Sequence, residues 1–466
     1  MKSTSFSHAI VIGAGMAGLA AARVLSAHCD RVTVLERDSL PANAEPRRGV
    51  PHGRHAHGLL ARGREGLEQL FPGLTKDLIA DGAVAGDLLA DASWFNYGVY
   101  LASAPCGLTG ILLSRPMLEG YVRGRLVADP CVRLLQGTQV KGLLADVARR
   151  RVLGVALAAP APGETSETML ADLVVDASGR HSRAPQWLEE LGYAKPEEET
   201  LEVDIAYTTR LLRRRPQHLA GKRVVVISAE PPAWRFGVAL AQEDDRWIVT
   251  LGGYFGDKPL AEDRDFLEFA RTLPAPEVAD LLTVAEPISD FSAFQFPASR
   301  RRRYERLSRL PTGYLVIGDA LCSFNPRYGQ GMTAAALQAL ALRDCLAESS
   351  EKLAARFYAK ASAITDIPWQ IAAGGDLRHP RLAHRRSLGD RFLNWYLGKV
   401  NRAAARDVGL ARTFIQVANL MMPPTRLLAP ATMARVAIGN LRPGTTTASA
   451  ARQHAIGQPL ISRPRG

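Results

Sequence analysis

The chain has 466 residues, of which 47% are hydrophobic, so it is neither disordered nor too short for a large core. Its five cysteines show no paired CxxC spacing, which excludes a disulfide framework and a cysteine zinc site. The formal net charge is +12, but no nucleic-acid recognition module accompanies it, so we expect no nucleic-acid partner. Peripheral contact with an anionic membrane or an acidic partner stays open.

No apolar run reaches the roughly 18 residues needed to span a bilayer. The apolar segment near the start is interrupted by GAGMAG and has no signal-peptide cleavage site. We therefore expect an unprocessed cytoplasmic protein.

The first part of the chain predicts a strand, a glycine turn, a helix and a second strand. HAIVIGAG is a short apolar run, MAGLAAARVLSAH has helical periodicity, and RVTVLERD reads as the second strand. Such a βαβ unit has parallel strands and a right-handed crossover. A loop rich in Gly, Pro, His and Arg follows, from Pro41 to Gly58, and leads into the helical LLARGREGLEQLF.

The middle of the chain predicts more strands. GILLSRPMLEGYVRGRLV indicates a strand end and then a helix with Pro116 in its first turn. VRLLQGTQVKGLLAD and RRVLGVALAA indicate paired strands, and ADLVVDASGRHSR a strand that enters a glycine turn. Alternation from Leu201 to Phe296 predicts a mostly antiparallel sheet. From Ala334 to Leu441 the chain is predicted to be mainly helical, with a loose tail after it.

The turn GAGMAG carries chemistry. Gly13, Gly15 and Gly18 form a G-x-G-x-x-G pattern between a strand and a helix, which puts a pyrophosphate at the helix N-terminus. Glu36 closes the second strand, where an acid accepts hydrogen bonds from the ribose hydroxyls of an adenosine. This favours FAD or NAD over NADP, and the spacing alone does not separate the first two.

Two later strand ends carry an aspartate near a glycine. They are Asp176 in VVDASGRHSR, with Gly179 in the following turn, and Asp319 beside Gly318 in LVIGDALCSFNP. A carboxylate in this position can accept a hydrogen bond from a ribityl or ribose hydroxyl. A simple NAD dehydrogenase does not need two such aspartates.

The three motifs, in this order, resemble those of the p-hydroxybenzoate hydroxylase-like FAD-dependent monooxygenases. Within that family the chain is most similar to bacterial polyether olefin epoxidases of the monensin and lasalocid type, and PRYGQGMT is also similar to a loop of squalene epoxidases. The likeness runs from His8 to Arg378 and rests on RRGVPHGRHAHGLL, LSRPMLE, DASGRHSRAPQWL, GDALCSFNPRYGQGM and IPWQIAAGGDLR. Cys322 stands where aromatic hydroxylases often have histidine, which weakens an assignment to phenolic substrates.

The resemblance implies an α/β fold with a Rossmann-type FAD-binding domain, an interleaved, mostly antiparallel β-sheet substrate domain and a C-terminal helical region. We assign residues 1–85, 105–185 and 300–348 to the discontinuous FAD-binding domain, 86–104 and 186–299 to the substrate domain, 349–441 to the helical region, and 442–466 to the loose tail.

The resemblance also implies how the late motif binds the cofactor. Asp319 would hold the ribityl or pyrophosphate region, and Pro326 would lie against the flavin face. The N–H groups of Gly331 and Met332 would face the flavin N1/O2 edge, because reduced flavin is negatively charged there and a helix N-terminus stabilises such charge.

The other implied contacts come from earlier segments. Arg115 would reach the cofactor from the start of its helix, Val140 would pair its backbone with adenine, and Arg54 and His55 would lie in the covering loop. The full set of predicted cofactor-binding residues is Gly13, Gly15, Met16, Ala17, Gly18, Glu36, Arg37, Arg54, His55, Arg115, Val140, Asp176, Gly318, Asp319, Pro326, Gly329, Gly331 and Met332.

The implied reaction is monooxygenation. NAD(P)H reduces the flavin transiently, and the flavin then delivers one oxygen atom of O2 to an apolar substrate. We expect epoxidation of a C=C bond in a polyketide or terpenoid of secondary metabolism, free or carrier-bound. We assign no catalytic residue, and a separate flavin reductase stays open as a partner.

Four alternatives use the same fold. They are an aromatic hydroxylase, a non-oxygenating reductase or cyclase of the geranylgeranyl-reductase or lycopene-cyclase kind, a flavin halogenase, and a non-catalytic binding protein similar to the GDP-dissociation inhibitors. The halogenase is disfavoured because the chain lacks a W-x-W-x-I-P stretch.

Three further segments have competing interpretations. A metal site is one interpretation of the segment PHGRHAH, which contains His52, His55 and His57. No nearby carboxylate or cysteine completes such a site, so we expect no bound metal. The basic run from Arg300 to Arg303 predicts a solvated strand. The aromatic residues from Trp94 to Tyr100 predict either sheet core or the lining of a substrate cavity.

Overall fold

The computed structural model describes residues 6–159 and 167–441. The strands in these ranges are β1 Phe6–Ile12, β2 Cys29–Leu35, β3 Val84–Asp87, β4 Ala92–Asn96, β5 Val99–Tyr100, β6 Thr109–Leu112, β7 Val132–Leu135, β8 Val140–Ala145, β9 Val152–Leu157, β10 Thr168–Leu170, β11 Leu173–Asp176, β12 Glu198–Arg213, β13 Val224–Ile227, β14 Arg235–Gln242, β15 Arg246–Gly253, β16 Ser292–Arg302, β17 Tyr314–Val316 and β18 Cys322–Ser323. The helices are α1 Met16–Leu25, α2 Ala61–Leu70, α3 Leu74–Ala80, α4 Arg115–Val127, α5 Ala184–Glu190, α6 Asp263–Arg271, α7 Glu277–Val284, α8 Gly331–Glu348, α9 Leu353–Asp376, α10 Leu388–Ala404, α11 Val408–Ala418 and α12 Pro430–Leu441. The predicted loose tail, 442–466, lies outside the described residues.

A parallel sheet with the strand order β17-β11-β1-β2-β7 forms the first layer. Ala9, Ile10 and Val11 of β1 have no exposed surface, as expected for a parallel strand covered on both faces. Helix α1 connects β1 to β2, and these strands run parallel from the Phe6–Cys29 pair to the Ile12–Leu35 pair. The predicted βαβ unit is confirmed.

The segment after α4 differs from its prediction. The strands β8 and β9 pair with each other as expected, and their orientation is antiparallel, but VRLL forms β7, which joins the parallel sheet beside β2. Gly137, at φ +68°, lies between β7 and β8. A positive φ costs glycine little, so the chain can change direction there and enter a different sheet.

The second layer is an eight-stranded sheet with the order β18-β16-β12-β15-β14-β13-β4-β5. Its pairings are antiparallel except for β13 with β4, so the predicted antiparallel sheet is confirmed. The two helices between β15 and β16, α6 and α7, were not predicted. Phe266, Phe269 and Ala270 give α6 a buried face at helical spacing, and this face covers the sheet.

From α8 to Leu441 the chain is mainly helical, as predicted. Tyr396, Val400 and Ala403 of α10 share a hydrophobic cluster with residues of α11 and α12. Within the described ranges, no helix is both long and apolar enough to span a membrane.

The basic run of β16 is not a solvated strand, and that prediction was wrong. Arg301 and Arg302 are 1% and 4% exposed. Arg301 pairs with Asp366 of α9 at 2.6 Å, and Arg302 pairs with Glu198 of β12 at 3.1 Å. The acids come from a neighbouring strand and a distant helix, so their complementarity to the run appears only once the chain has folded.

We predict that Arg301→Ala lowers the free energy of unfolding by about 2 to 3 kcal/mol, because it empties a packed site and breaks an ion pair whose arginine is buried, although the Asp366 side chain is 45% exposed. The control is Arg300→Ala, whose side chain is 41% exposed although it pairs with Glu198 at 3.0 Å. This exposed pair contributes less than about 1 kcal/mol. Urea unfolding followed by circular dichroism measures both. Equal losses would contradict the assignment of Arg301 to the core.

Candidate functional site

The carboxyl edge of the parallel sheet brings the predicted motifs together. The strands β1, β11 and β17 end in register, with Ile12 beside Asp176 and Asp176 beside Val316. The chain then continues into GAGMAG, ASGRHSR and IGDA at the same edge. Ligands of open α/β sheets bind outside this edge, so motifs separated by about 300 residues can contact one ligand.

The three glycines of GAGMAG have different roles. Gly13 has φ +99°, and a Cβ on it would lie 2.7 Å from the carbonyl oxygen of Ala177. A Cβ on Gly18 would lie 1.8 Å from the carbonyl oxygen of Gly13. Both are therefore required by the packing of the chain itself. A Cβ on Gly15 would meet nothing within 4 Å, so its lack of a side chain leaves space for a ligand.

Helix α1 begins beside that space. Its N-cap residue, Gly15, provides no side-chain hydrogen bond, whereas a serine or aspartate side chain caps α4, α10 and α11. Met16 is buried under the turn, and Ala17 is half-buried. The first N–H groups of α1 have no acceptor within the helix, so they form a site for an anion.

Glu36 lies next to this turn and is 5% exposed. Its carboxylate accepts hydrogen bonds from the backbone N–H of Ala14 at 2.9 Å and of Asp38 at 3.1 Å, and it pairs with Arg47 at 3.1 Å. The acid is thus fixed where an adenosine ribose is predicted. Arg37, by contrast, points its side chain to the surface, 62% exposed.

A buried chain of ion pairs continues from Glu36. Arg47 also pairs with Glu119 at 2.7 Å, and Glu119 pairs with Arg115 at 3.1 Å. All of these side chains are less than 10% exposed. Burial alone would raise the pKa of Glu119, but Arg115 and Arg47 outweigh it and lower the pKa below its ordinary value.

Sequence reasoning found Arg115 and Glu36 but missed the two residues that join them. Glu119 follows Arg115 by four positions in α4, a spacing at which helical side chains meet, so it could have been found. Arg47 lies in an irregular loop and gave no such signal. Arg47 and Glu119 hold the predicted adenosine end and the start of α4 in one rigid unit.

Val140 starts β8 and is 8% exposed. Two residues earlier, the N–H of Thr138 donates to the carbonyl oxygen of Glu36 at 2.8 Å. Val140 therefore lies close along the chain to the predicted adenosine end, and its contact with adenine stays a prediction.

The carboxylate of Asp176 is fully buried. One oxygen accepts from the N–H and hydroxyl of Ser178, at 2.8 and 2.5 Å. The other accepts from the hydroxyls of Ser182, at 2.6 Å, and Tyr314, at 3.2 Å. Four donors fill the acceptor capacity of a carboxylate. This geometry favours a role in holding the turn over the predicted contact with a ligand hydroxyl.

Gly318 and Asp319 form the meeting point of the late and early motifs. Gly318 has φ +70°, and a Cβ on it would lie 2.5 Å from the Cβ of Ala17, so the late turn packs on the start of α1. Asp319 is solvent-exposed in the cleft beside this contact. Although Asp319 keeps exposed surface, the protein atoms around its carboxyl partly desolvate it and raise its pKa, an effect that Arg115 and Arg180 oppose.

The start of α8 lies next to Asp319. A Cβ on Gly331 would lie 3.7 Å from an Asp319 carboxylate oxygen, which is ordinary contact distance. The helix has no side-chain cap, and Oε1 of Gln330 is buried without a hydrogen-bond partner in the described part of the chain. Met332 is buried. Free N–H groups and an unpaired acceptor therefore face this end of the cleft.

The loop before α8 includes a backbone conformation with positive φ, which glycine adopts readily. Pro326 is exposed at the start of a short 3-10 helix, Pro326–Tyr328. Gly329 ends it at φ +65°, where a Cβ would come within 3.4 Å of the carbonyl oxygen of Gly58. The proline ring and the start of α8 thus border the same opening.

The histidine loop covers the strands β12 and β15. His55 is 2% exposed, its Nδ1 lies 2.7 Å from the hydroxyl of Thr209, and burial lowers its pKa to about 3. Burial likewise lowers the pKa of His52 and His57, so all three rings are neutral at pH 7. Arg54 is exposed. No group of three or more His, Cys, Asp or Glu side chains in the described ranges is placed to hold a metal ion.

Sequence reasoning did not predict a buried polar cluster behind Pro326. One carboxylate oxygen of Asp376 accepts from the hydroxyls of Tyr254 at 2.7 Å and Tyr328 at 3.0 Å, and from the amide of Asn325 at 2.9 Å. Arg327 donates to the Tyr254 hydroxyl at 2.7 Å. The other Asp376 oxygen is buried without a partner among the described residues, and burial raises the pKa of Asp376 to about 6.

An ion pair lies near the Asp376 cluster. Arg378 pairs with Glu230 at 2.6 Å, and its guanidinium stacks 3.8 Å from the ring centre of Tyr97. Trp94 instead packs in the core and donates to the carbonyl oxygen of Leu88. The aromatic segment 94–100 therefore divides between the sheet core and the charged cluster.

Comparisons with known proteins agree with this geometry. A family model described as an FAD binding domain matches residues 7–356. Protein Rv3254 of Mycobacterium tuberculosis is 37% identical over 381 residues, which are 79% of this chain and 80% of that protein. Kynurenine 3-monooxygenase of Salinispora tropica is 26% identical over 369 residues, 74% of each chain.

A solved structure shows the same fold. The p-nitrophenol 4-monooxygenase PnpA from Pseudomonas putida DLL-E4 aligns with a TM-score of 0.62 at 18% identity, covering 90% of this chain and 99% of that chain. The predicted architecture is thereby confirmed, while the predicted closeness to polyether and squalene epoxidases stays a prediction. The chain belongs to the FAD binding domain family and is a flavoprotein enzyme with the fold of the FAD-dependent monooxygenases.

Proposed function

We propose that this enzyme is a monooxygenase that transfers one oxygen atom of O2 to an apolar substrate. The observation that carries the proposal is the contact of Gly318 with Ala17. It joins the late motif to the first glycine turn, so two uncapped helix N-termini border one cleft. Such a cleft suits a long ligand that is anionic in the middle and polar at the edge of a ring.

The side chains present fit FAD in this cleft. At the adenosine end, Glu36 supplies an acceptor for ribose hydroxyls and the start of α1 supplies donors for the pyrophosphate. At the other end, the N–H groups of Gly331 and Met332 are available for an electron-rich ring edge. Oε1 of Gln330, buried and unpaired in the described part of the chain, is an acceptor for a ring N–H.

Bound FAD supplies the redox chemistry when NAD(P)H, which we propose as a transient reductant, delivers a hydride. The chain's own residues have three tasks: to bind the cofactor, to orient the substrate and to exclude water. Asp376, Tyr254 and Tyr328 hold the Pro326 loop in place from behind. Arg115 and Arg180 favour the charged form of Asp319, because they lower the pKa that its surroundings raise.

The walls beside the histidine loop support an apolar or aromatic substrate. Tyr207 and Phe294 are cross-strand partners on β12 and β16, with ring centres 5.5 Å apart. The His55 ring meets Tyr207 edge-on at 4.7 Å, and Arg180 lies 5.4 Å from the centre of Phe294. Pockets that bind small molecules are lined in this way, with few polar groups among aromatic ones.

We propose epoxidation of a C=C bond in a polyketide or terpenoid, supported by the sequence resemblance to the polyether epoxidases. Aromatic hydroxylation is a second candidate, and the 26% identity to kynurenine 3-monooxygenase favours it. Both reactions insert an oxygen atom. A reductase or cyclase of the same fold inserts none.

The reaction class is tested with isotopically labelled O2 and NAD(P)H. Squalene serves as an apolar polyene and kynurenine as an aromatic probe, each assayed by mass spectrometry. We expect the polyene to accelerate NAD(P)H oxidation and to gain one labelled oxygen. Labelled kynurenine would select hydroxylation. Accelerated oxidation of NAD(P)H with an unlabelled organic product would rule out the monooxygenase.

Flavin binding is tested with Gly15→Val. A Cβ added at Gly15 meets no protein atom within 4 Å, so the fold should persist while the valine side chain fills the predicted pyrophosphate space. We expect purified protein with native circular dichroism but at least about tenfold less bound flavin by absorbance at about 450 nm. Gly124→Val is the control, because a Cβ there also meets nothing within 4 Å and lies outside the cleft. Equal flavin content in the two variants would contradict the site.

The buried acid gives a pH-dependent prediction. Asp376 has a native pKa of about 6 against 3.8 for an ordinary aspartate, so the native state binds its proton more tightly than the unfolded state. Stability therefore falls as pH rises from about 4 to about 6 and is level above that. We predict that Asp376→Asn removes this fall.

Urea unfolding between pH 4 and pH 7 measures the effect. The variant should gain stability relative to the native protein as pH rises through this window. The control is Asp81→Asn, an exposed acid at the end of α3, which should leave the profile unchanged. A native profile that matches that of Asp376→Asn would show that Asp376 does not titrate in this range.

A further inference from the structure

The positive charge of the chain is concentrated in residues 377–441, the last part of the C-terminal helical region. Residues 377–441 contain eleven Arg and Lys but only two Asp and no Glu, a net charge of +9, whereas the whole chain carries +12. The arginine excess is therefore a local feature. It requires an explanation that belongs to these helices.

The two acids of this region are already engaged. Asp390 accepts from the N–H and hydroxyl of Ser387, at 2.8 and 2.7 Å, and closes a capping box at the start of α10. Asp407 caps α11 and pairs with Arg435. Neither compensates the cations on the outer surface of α10.

The outer surface of α10 combines these cations with large exposed apolar side chains. Leu388, Phe392 and Trp395 are 83%, 53% and 57% exposed, and their spacing of four and three positions puts them on one side of the helix. Arg391, Lys399 and Arg402 fall on the same side. We call this set the α10 face; it comprises Leu388, Arg391, Phe392, Trp395, Lys399 and Arg402.

The neighbouring side of α10 anchors the helix in the protein, and the Phe392 ring stacks on that of Tyr396 with ring centres 6.2 Å apart. Tyr396, Val400 and Ala403 are at most 5% exposed and lie in one hydrophobic cluster with α11 and α12. Because α10 already has a buried side, its exposed apolar residues are not required for packing in the hydrophobic core. The Lys399 ammonium lies 5.8 Å from the Trp395 ring centre, so cations and aromatic rings are interleaved on the surface.

We propose that the α10 face binds the surface of an anionic lipid bilayer. A helix with a basic and aromatic outer side lies in the plane of the interface, with its apolar side chains inserted below the headgroups. Tryptophan prefers that depth. Long Lys and Arg side chains can extend to the anionic phosphates while their stems stay apolar.

Charge complementarity selects the bilayer over other occupants. A second copy would bring an equally basic face against this one. The segment 442–466 contains four Arg and no Asp or Glu, so its charge has the same sign as the face. A nucleic acid would complement the positive charge of the α10 face but would leave the apolar side chains of Leu388 and Phe392 without an apolar partner.

The binding assay uses the full-length, FAD-loaded protein and sedimentation with vesicles. One set contains equal parts phosphatidylcholine and phosphatidylglycerol, and the other phosphatidylcholine alone. We expect sedimentation with the anionic set only, weakening as salt is raised. Phe392→Ser/Trp395→Ser and Arg391→Gln/Lys399→Gln should each weaken binding at least about tenfold.

A matched control changes an apolar and a basic residue elsewhere. Lys258 and Leu260 are both exposed, between β15 and α6, and Lys258→Gln/Leu260→Ser should bind vesicles like the native protein. Trp395 also reports directly, because it is the only exposed tryptophan of the six in the chain, all of which are described. Anionic vesicles should shift its emission to the blue and shield it from acrylamide.

Four results would overturn the proposal. They are no sedimentation with anionic vesicles, equal binding to neutral vesicles, unchanged binding of Phe392→Ser/Trp395→Ser, and a dimer in light scattering that this variant dissociates. Tighter binding to an RNA duplex than to vesicles, retained by the same variant, would assign the charge to nucleic acid instead. Flavin content is recorded for every variant, because a variant that has unfolded loses its flavin, whereas a folded variant with a disrupted α10 face retains it.

Discussion

The close approach of the Gly318 turn to the start of α1 is the constraint on which the site depends. A Cβ on Gly318 would lie 2.5 Å from the Cβ of Ala17, so any larger residue would push β17 and α1 apart. Because this contact is tight, the N-termini of α1 and α8 border the same cleft, and Asp319 lies between them. We propose that the fold brings these two weak anion sites onto one ligand.

Buried charges hold the two sheets around that contact. On one side, Arg47 and Glu119 connect Glu36 to Arg115. On the other side, Arg302 donates to the carbonyl oxygen of Ala320 at 2.7 Å, directly after Asp319. Since removing one partner of a buried pair leaves an uncompensated charge, these networks keep the cleft in one geometry without contributing much net stability.

The sequence predicted the structural features that depend on a few consecutive residues. Glycine turns, strand ends and the helix starting near Gly331 depend on local backbone, so their positions were found. The role of Arg301 was missed because its partner Asp366 lies on a helix 65 positions later. Asp376 was missed because its three donors come from two separate segments of the chain. The helices α6 and α7 were missed because alternation was extended across them, although Phe266 and Phe269 carry the helical spacing.

We propose that two distant motifs bind the two ends of one FAD molecule. Calorimetric titration of the flavin-free protein with FAD, FMN and ADP tests this most directly. If both ends contribute, one FAD should bind per chain, at least about a hundredfold more tightly than either fragment, because linkage makes the second contact intramolecular. ADP that binds as tightly as FAD would show that the flavin end contributes nothing and would contradict the account.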